Sequence, residues 1–288
     1  MPRSTTFRTF LIVIILIFSI ANYYQLISKS PEISHPKLPP PPSNLSEKFE
    51  IRELRRQALL LADKVKKSIL DHAIGRDNKN FYPKIKAEAF CDKVIRIGEH
   101  GDGGKIVCNP ENVKDDCTLM SLGLNNQVEY DLKIWNVTGG RCMIIGADKD
   151  PQNHQTARAY ASIKGQLYSG KIPDEIGIQE ILEKANRKDV EILKIDIEGG
   201  EHEGLEPFLK EVFVCQILIE IHGWPPEHLA MLQKISRHGF RLFNIEPNPL
   251  CHRCCEYSLI NELCMHQFNT IPLADHIPPP KTIQNSYN

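Results

Sequence analysis

Val190–Glu201 reads VEILKIDIEGGE, a strand pattern followed at once by an acidic segment that contains two glycines. Its first half is an apolar run that predicts a buried strand, and the run stops abruptly at Asp196. Three carboxylates and two glycines follow within six residues, a composition that core packing does not explain. Ligands of doubly wound α/β sheets bind outside the carboxyl ends of the strands, so this polar segment marks a candidate site.

Short apolar segments alternate with helical segments on both sides of this stretch. The predicted strands are Cys117–Leu122, Cys142–Ala147, Gln166–Tyr168, Val190–Ile195, Val214–Ile221, Phe240–Ile245 and Tyr257–Ile260. The predicted helices are Val128–Val137, Gln152–Ile163, Ile178–Ala185, His202–Lys210 and Pro226–His238. This alternation predicts an α/β fold with a doubly wound, mostly parallel sheet covered on both faces. The last two strands have no helix between them, which predicts an antiparallel edge.

The first 45 residues differ in composition from the rest of the chain. Phe10–Ile27 is rich in apolar residues over 18 positions, close to the roughly 20 that span a bilayer core. Arg3 and Arg8 precede this run and favour a cytosolic amino terminus. A cleaved signal peptide is the alternative, since Ser19-Ile20-Ala21 fits a cleavage site. We therefore expect a single-pass type II membrane protein with a Golgi or ER lumenal domain, or a secreted protein.

A proline-rich stem and a helix follow this apolar segment. Pro31–Ser43 contains four consecutive prolines and predicts a stiff spacer. Ser46–Gly75 has the apolar spacing of a helix, with Ser46 as the N-cap and Gly75 as the stop. Asn44 and Asn136 lie in glycosylation sequons, which are used if the chain is lumenal. The predicted boundaries are a short cytosolic tail at 1–9, a transmembrane signal anchor at 10–27, a stem at 28–45, a helical lead-in at 46–90, the main domain at 91–275 and a flexible tail at 276–288.

Nine cysteines are many for a chain of 288 residues. In an oxidising compartment some of them pair, and the odd number leaves at least one free or intermolecular. The alternative is a zinc site formed by Cys251, Cys254, Cys264 and His266. The Cys254-Cys255 doublet departs from the usual ligand spacing, so we favour disulfides and expect no metal site.

Three further residues at predicted strand ends are suited to ligand binding. Gly123 lies in SLGLNN (Ser121–Asn126), where a glycine allows close approach of the backbone to a ligand. Asp148, 25 residues later, stands where a carboxylate accepts hydrogen bonds from ribose hydroxyls. His222 follows the fifth strand and is a candidate general base, because imidazole titrates near neutral pH. The alternatives are an ordinary turn, a solvated carboxylate and a structural histidine.

Ile192–Glu201 (ILKIDIEGGE) resembles the strand-and-acid motif of FkbM-type S-adenosylmethionine-dependent methyltransferases. Four other segments, in the same order along the chain, are similar to a related nematode-rich animal family of membrane-anchored or secreted methyltransferase-like proteins. The resemblance covers about 91–260 and implies the Rossmann-like class I methyltransferase fold. The four segments are RIGEHGDGGKIVC (Arg96–Cys108), SLGLNNQVEYD (Ser121–Asp131), GADKDP (Gly146–Pro151) and ILIEIH (Ile217–His222).

The resemblance implies S-adenosylmethionine as the cofactor and oxygen as the methyl-accepting atom. On this interpretation Asp196 faces both cofactor and acceptor, and His222 or Glu198 takes the proton of the acceptor. Alternatively, Glu198 and Glu201 only cap the following helix, where the helix dipole favours acids. The predicted cofactor-binding residues are Ser121, Gly123, Asn125, Asp148 and Asp196, and the predicted catalytic residues are Asp196, Glu198 and His222.

Two other functions fit parts of the sequence. A metal-dependent lumenal glycosyltransferase would use Asp148-Lys149-Asp150 to hold a divalent cation. A non-catalytic binding protein would keep the methyltransferase fold without the activity. The net charge of -1 argues against a nucleic-acid partner, since such binding depends on positive charge. We expect a small-molecule or glycan acceptor, and membrane contact through the N-terminal anchor.

Overall fold

Seven strands form the central sheet of the computed structural model, which describes residues 45–99 and 103–280. The strands in chain order are β1 (Ala89–Cys91), β2 (Val94–Ile97), β3 (Lys105–Cys108), β4 (Thr118–Leu122), β5 (Met143–Asp148), β6 (Gln166–Ser169), β7 (Asp189–Ile195), β8 (Phe213–His222), β9 (Phe240–Pro247), β10 (Cys254–Asn261) and β11 (Thr270–Pro272). The helices are α1 (Leu45–His72), α2 (Asn78–Phe81), α3 (Glu129–Val137), α4 (His154–Ser162), α5 (Ile178–Lys184), α6 (Glu201–Glu211) and α7 (Pro225–Arg237).

The strands of the central sheet lie in the order β6-β5-β4-β7-β8-β10-β9. β4 pairs in parallel with both β5 and β7, and β7 pairs in parallel with β8. The strand order reverses between β4 and β7, so a crevice opens outside the carboxyl ends of these two strands. β10 inserts between β8 and β9 and runs antiparallel to both. The predicted α/β fold with a mostly parallel sheet and an antiparallel edge is confirmed.

Apolar side chains cover both faces of this sheet. On β7, Leu193 and Ile195 belong to one buried cluster and Ile192 to another, because successive residues of a strand point to opposite faces. The first cluster includes side chains of α5, α6 and α7, and the second includes side chains of α3 and α4. Full burial of each such Leu or Ile contributes about 1.5–3 kcal/mol, which holds the helices against the sheet.

Eight of the nine cysteines form disulfides, and the Cys255 thiol is buried and unpaired. We predicted that some cysteines pair and that at least one stays free or intermolecular, and this arrangement agrees with that prediction. The zinc alternative is wrong, because the sulfur atoms of all three proposed cysteine ligands are used in disulfides. The pairs are Cys91–Cys108, Cys117–Cys142, Cys215–Cys264 and Cys251–Cys254.

The carboxyl-terminal end of the described chain packs against Glu88, just before β1. β1 pairs with β11, and the buried Glu88 carboxylate accepts hydrogen bonds from the backbone N–H groups of Leu242, His276 and Ile277. The expectation of a flexible tail from residue 276 is therefore wrong at its start, since His276 and Ile277 are buried. Ser46 is not the N-cap of α1, because the helix already includes Leu45.

The predicted cytosolic tail, the anchor at 10–27 and almost all of the stem lie outside the described residues. Among the helices of the described ranges, none combines the length and the apolar character needed to cross a membrane. Asn136 is exposed on α3, while Asn44 precedes the described part of the chain.

Candidate active site

The loop after β4 requires glycine at position 123. Gly123 has a φ of +82°, and a Cβ built there would lie 1.7 Å from the backbone oxygen of Asp196. The close approach predicted from the sequence is thus an approach to the neighbouring chain segment after β7. Lys194 supports the same loop, because its ammonium donates to the Gly123 carbonyl at 2.9 Å. The loop is therefore fixed against the end of β7.

Asp148 ends β5 and holds this loop in place. One of its carboxylate oxygens accepts the backbone N–H groups of Leu124 at 2.8 Å and Asn125 at 2.7 Å, and the other accepts that of Asp150 at 3.1 Å. Asp148 is buried, so these bonds are shielded from water. Its visible role is to anchor the loop, and ribose binding by the same carboxylate stays a prediction.

Ser121 and Asn125, the next two predicted cofactor contacts, differ in whether a ligand can reach them. Ser121 is only 2% exposed and lies beside the buried carboxyl of Asp131, whose pKa is raised to about 6 mainly by burial. Ser121 therefore faces the interior and does not open onto the crevice. Asn125 is exposed in the left-handed region with a φ of 47°, at the free side of the loop. Of the two, Asn125 is the residue that a ligand can reach.

Asp196 follows β7 and lies against a buried lysine. The ammonium of Lys105, which is 1% exposed, is 3.3 Å from a carboxylate oxygen of Asp196, and it also forms ion pairs with Glu256 and Glu220. Burial disfavours the charged form of Asp196, but Lys105 and Lys194 together lower its pKa. The Asp196 carboxylate is therefore ionised at the carboxyl end of the central strand.

Glu220 and Glu256 complete this buried group. Burial, together with the charges of Asp196 and Glu256, raises the pKa of Glu220 to about 8, and burial also raises the pKa of Glu256. Asn248 donates to Glu220 at 2.9 Å. We did not predict Lys105, Glu220 or Glu256 from the sequence. Glu220 could have been found, because it lies two residues before the candidate base on one strand and so shares its face.

His222, the last residue of β8, is paired with Glu201 at the start of α6. The Nδ1 atom of His222 lies 3.2 Å from a carboxylate oxygen of Glu201, and the same oxygen accepts the backbone N–H of His222 at 3.1 Å. The Nε2 atom lies 3.9 Å from a carboxylate oxygen of Asp196 and 3.4 Å from one of Glu198. Burial opposes protonation of this imidazole, but Glu201 and Asp196 raise its pKa to about 9.

The three predicted catalytic residues are thus brought together, although their surroundings differ. The Glu198 side chain is 84% exposed and its backbone has a φ of 55°, outside the following helix. Glu201 is fully buried and accepts the backbone N–H of Gly199 at 2.8 Å. The capping alternative therefore holds in part for Glu201, which stabilises the turn before α6 and also pairs with His222. It does not hold for Glu198.

Residues 77–242 match the family description "Methyltransferase FkbM domain". The chain belongs to this family. The match covers more than half of the chain and includes both the loop after β4 and the strand ends that carry Asp196 and His222. As an FkbM-domain protein the chain is an S-adenosylmethionine-dependent methyltransferase. A comparison with curated proteins gives no match.

Solved structures with a similar backbone are distant from this FkbM domain. The precorrin-6y C5,15-methyltransferase of Geobacter metallireducens is 11% identical, with 52% of this chain and 82% of that chain covered and a TM-score of 0.37. TrmK of M. capricolum, in complex with S-adenosylhomocysteine, is 10% identical, with 59% and 69% covered and a TM-score of 0.35. A SAM-dependent methyltransferase of Aquifex aeolicus is 14% identical, with 53% and 90% covered and a TM-score of 0.30. Similarity at this level carries no argument about function.

The residues at the crevice fit the cofactor of the family. Asn125 presents an exposed amide, and Asp148 keeps carboxylate acceptor capacity beyond its three backbone partners. These are the groups that would bind the hydroxyls of a nucleoside. Asp196 adds an ionised carboxylate at the adjoining strand end, which would favour a cationic sulfonium.

Two sets of side chains have the geometry of metal ligands, but their surroundings oppose a cation. Asp196, Glu198 and His222 offer ligand atoms within 4.8 Å of one another, and so do Asp196, Glu220 and Glu256. The Lys105 ammonium already forms ion pairs with all three carboxylates of the second set, and the Glu198 carboxylate of the first set is mostly exposed to solvent. A third set includes Cys254, whose sulfur is in a disulfide.

The glycosyltransferase alternative loses its ligands for the same kind of reason. Three backbone N–H groups take most of the acceptor capacity of the Asp148 carboxylate, and the one position left on its second oxygen does not allow bidentate binding of a divalent cation. Within residues 45–99 and 103–280, no group of three candidate metal ligands includes Asp148 or Asp150. Membership of the FkbM methyltransferase family also argues against a glycosyltransferase.

Proposed function

We propose that this FkbM-domain methyltransferase transfers a methyl group to a hydroxyl oxygen of a secretory-pathway acceptor, with His222 as the general base. The observation that carries the proposal is the hydrogen-bonded pair of His222 and Glu201 at the carboxyl ends of β7 and β8. A hydroxyl is a poor nucleophile at neutral pH and gains from a base within reach. The pair supplies such a base next to Asp196, in the crevice of a fold that binds ligands at this edge.

Glu201 orients the imidazole for this task. Its buried carboxylate bonds the Nδ1 side of His222, which favours the tautomer with the proton on Nδ1. In the neutral form of the imidazole, which the pKa of about 9 makes the minor form at pH 7, Nε2 is then free to accept the proton of the acceptor hydroxyl. Bound S-adenosylmethionine supplies a methyl group activated by a sulfonium, and the protein contributes alignment and proton transfer. Glu201 is thus a positioning residue, and His222 is the catalytic base.

Asp196 faces the cofactor and the acceptor together in this proposal. Its carboxylate stays ionised because Lys105 and Lys194 lie near it. A fixed negative charge at this point would favour a cationic cofactor, and it would stabilise the imidazolium that forms when His222 takes a proton. Lys105 in turn prevents three neighbouring carboxyl groups from repelling one another.

The compartment is part of the proposal. Four disulfides support an oxidising environment, because cytosolic thiols are kept reduced. The apolar run at 10–27 would place the domain in the lumen as a type II membrane protein, or would be removed from a secreted form. An acceptor in this compartment would be a glycan or a secreted small molecule.

Methyl transfer from labelled S-adenosylmethionine to fractionated secretory glycans, lipids and small molecules tests this function. His222→Gln should reduce transfer by about 10²–10⁴-fold while it retains S-adenosylhomocysteine binding by calorimetry. His266→Gln is the matched control, since His266 is exposed and follows the end of β10, which pairs with Gln216 at the opposite end of β8 from His222. If wild-type protein does not bind S-adenosylhomocysteine, the methyltransferase proposal fails. If His222→Gln transfers methyl at the wild-type rate, the assignment of the base is wrong.

A further inference from the structure

Two arginines flank Trp224 beside the end of β8. The guanidinium carbon of Arg253 lies 4.8 Å from the centroid of the Trp224 ring, and that of Arg76 lies 5.5 Å from it. Both distances are in the range of cation–π contacts. Trp224 comes two residues after His222, and Arg253 precedes Cys254, the residue paired with His222 across β8 and β10. This arginine–tryptophan stack therefore lies at the same edge of the sheet as the proposed base.

Buried polar side chains fix the backbone under the stack. Asn78 donates from its side-chain nitrogen to the carbonyls of Gly223 and His252, each at 2.9 Å. Burial lowers the pKa of His228 to about 4, and its Nε2 lies 3.2 Å from the Gly223 carbonyl and 3.1 Å from that of Arg253. The three segments that carry the stack are thus ordered before any ligand arrives, which reduces the cost of binding.

A disulfide also restrains one of these segments. Cys251 and Cys254 are bonded across the turn that contains His252 and Arg253. The backbone N–H of Gly223 donates to the Arg253 carbonyl at 2.8 Å, so the turn is tied to the end of β8 as well. The backbone that carries Arg253 is therefore held in place by the fold.

The positive charges of the stack are not neutralised by the protein. In the described part of the chain, neither Arg76 nor Arg253 has a carboxylate oxygen within 4.0 Å of its guanidinium nitrogens. The acids next to them are engaged elsewhere: Asp77 accepts hydrogen bonds from Asn80, and Glu227 accepts the backbone N–H of Trp224. Two guanidinium groups in contact with Trp224 thus lie at the end of β8 without a carboxylate partner among the described residues.

We infer that the methyl acceptor is an anion, a hydroxyl-bearing molecule that also carries a carboxylate or phosphate group bound by Arg76 and Arg253. The planar guanidinium pairs with two oxygens of either group. The predicted cofactor contacts Gly123, Asn125 and Asp148 lie at the ends of β4 and β5, whereas the stack lies beyond β8, across β7 from them. The stack is thus placed for the acceptor and not for the cofactor. This inference rests on the proposed methyl transfer at His222.

Tryptophan fluorescence of the full chain tests the inference without knowledge of the natural acceptor. The chain has two tryptophans, so Trp135→Phe leaves Trp224 as the sole emitter. This variant is titrated with glucuronate, glucose 6-phosphate and neutral glucose at constant ionic strength. Arg76→Gln and Arg253→Gln are added in turn, with Arg158→Gln as the control for an exposed arginine elsewhere.

We expect a saturable change of Trp224 emission with glucuronate, glucose 6-phosphate or both, and none with glucose. The anion that gives the change identifies the carboxylate or the phosphate as the recognised group. The dissociation constant should rise by at least about tenfold in each of the two stack variants and stay unchanged in Arg158→Gln. S-adenosylhomocysteine binding by calorimetry shows that every variant keeps the fold and the cofactor site.

Other outcomes overturn the inference. An equal response to glucose, no response to either anion, or a response that survives both stack substitutions would each show that the arginines do not recognise an anionic group. If the wild-type chain fails to bind S-adenosylhomocysteine but still binds the anions through the stack, the proposed function is what fails. The two failures are therefore distinguishable.

Discussion

Replacement of Glu201 by Gln tests whether His222 acts as the base. Glu201 is the first of the groups that raise the pKa of His222, which lies near 9 in the folded protein. With that value, about 1% of the imidazole is neutral at pH 7. Loss of the Glu201 charge should move the pKa down towards about 6.5, where roughly three quarters of the imidazole is neutral at pH 7. The neutral fraction thus rises by up to about 75-fold.

Two measurements follow this change. Imidazole nitrogen NMR reports the pKa of His222 directly and needs no acceptor. In wild-type protein kcat/KM should rise with pH through about 9, and in Glu201→Gln the rise should move to lower pH by up to about 2.5 units. The plateau of kcat/KM at high pH should be lower in Glu201→Gln, because the Gln amide does not hold Nδ1 of His222 as the Glu201 carboxylate does.

Glu203→Gln is the matched control, since it removes an exposed acid from the first turn of the same helix. Its NMR titration and its pH profile should equal those of the wild type. The reasoning is refuted if the His222 pKa falls in Glu201→Gln while the pH profile stays where it is. In that case another group takes the proton.

The remaining predictions concern the loop, stability and compartment. Asp148→Ala should weaken S-adenosylhomocysteine binding by at least about tenfold and lower Tm, because buried N–H groups lose their acceptor, whereas the exposed Asp150→Ala should change both little. Gly123→Ala should lower Tm far more than Gly177→Ala, because a Cβ at position 177 would have open space around it. Equal Tm values for the two variants in calorimetric scans would contradict the close approach of Gly123 to the chain segment after β7. Because the pKa of His222 is raised in the folded protein, its protonation contributes stability that is complete below about pH 6.5 and is lost as pH rises through about 9. In denaturant titrations the wild-type free energy of unfolding should therefore fall over this pH range, and the contribution of His222 to that fall should be absent in His222→Gln. In intact microsomes the C-terminal domain should be protected from added protease; its digestion from the cytosolic side would reject a lumenal domain.

Much of the fold could be predicted because its signals are local. Each strand of the central sheet is a short apolar run, and each helix has its own periodicity, so β4 to β10 were predicted within a few residues. The short strands β1, β2, β3 and β11 were not predicted. They have only three or four residues and form small two-stranded sheets whose pairing is visible only in space.

The candidate site was predicted only where it follows from strand ends. Asp196 and Glu198 follow β7 within three residues and His222 ends β8, and parallel strands bring their carboxyl ends to one edge. Lys105 escaped prediction because it reaches Asp196 from a hairpin 91 residues earlier in the chain. Ser121 was misjudged, since one residue along a strand decides whether a side chain faces the crevice or the interior.

From the sequence alone one can predict the order of strands and helices, the family motifs and the positions of the acids at the strand ends, because these depend on neighbours along the chain. Three features become visible only in the folded chain: which charges share a buried site, which cysteines pair, and which groups donate to the Asp148 carboxylate. Those outcomes depend on distances between segments remote in sequence, and in a medium of low dielectric such distances set whether a carboxyl or an imidazole is charged. The chemistry of His222 is therefore a property of its contact with Glu201, which the linear spacing of the two residues does not specify.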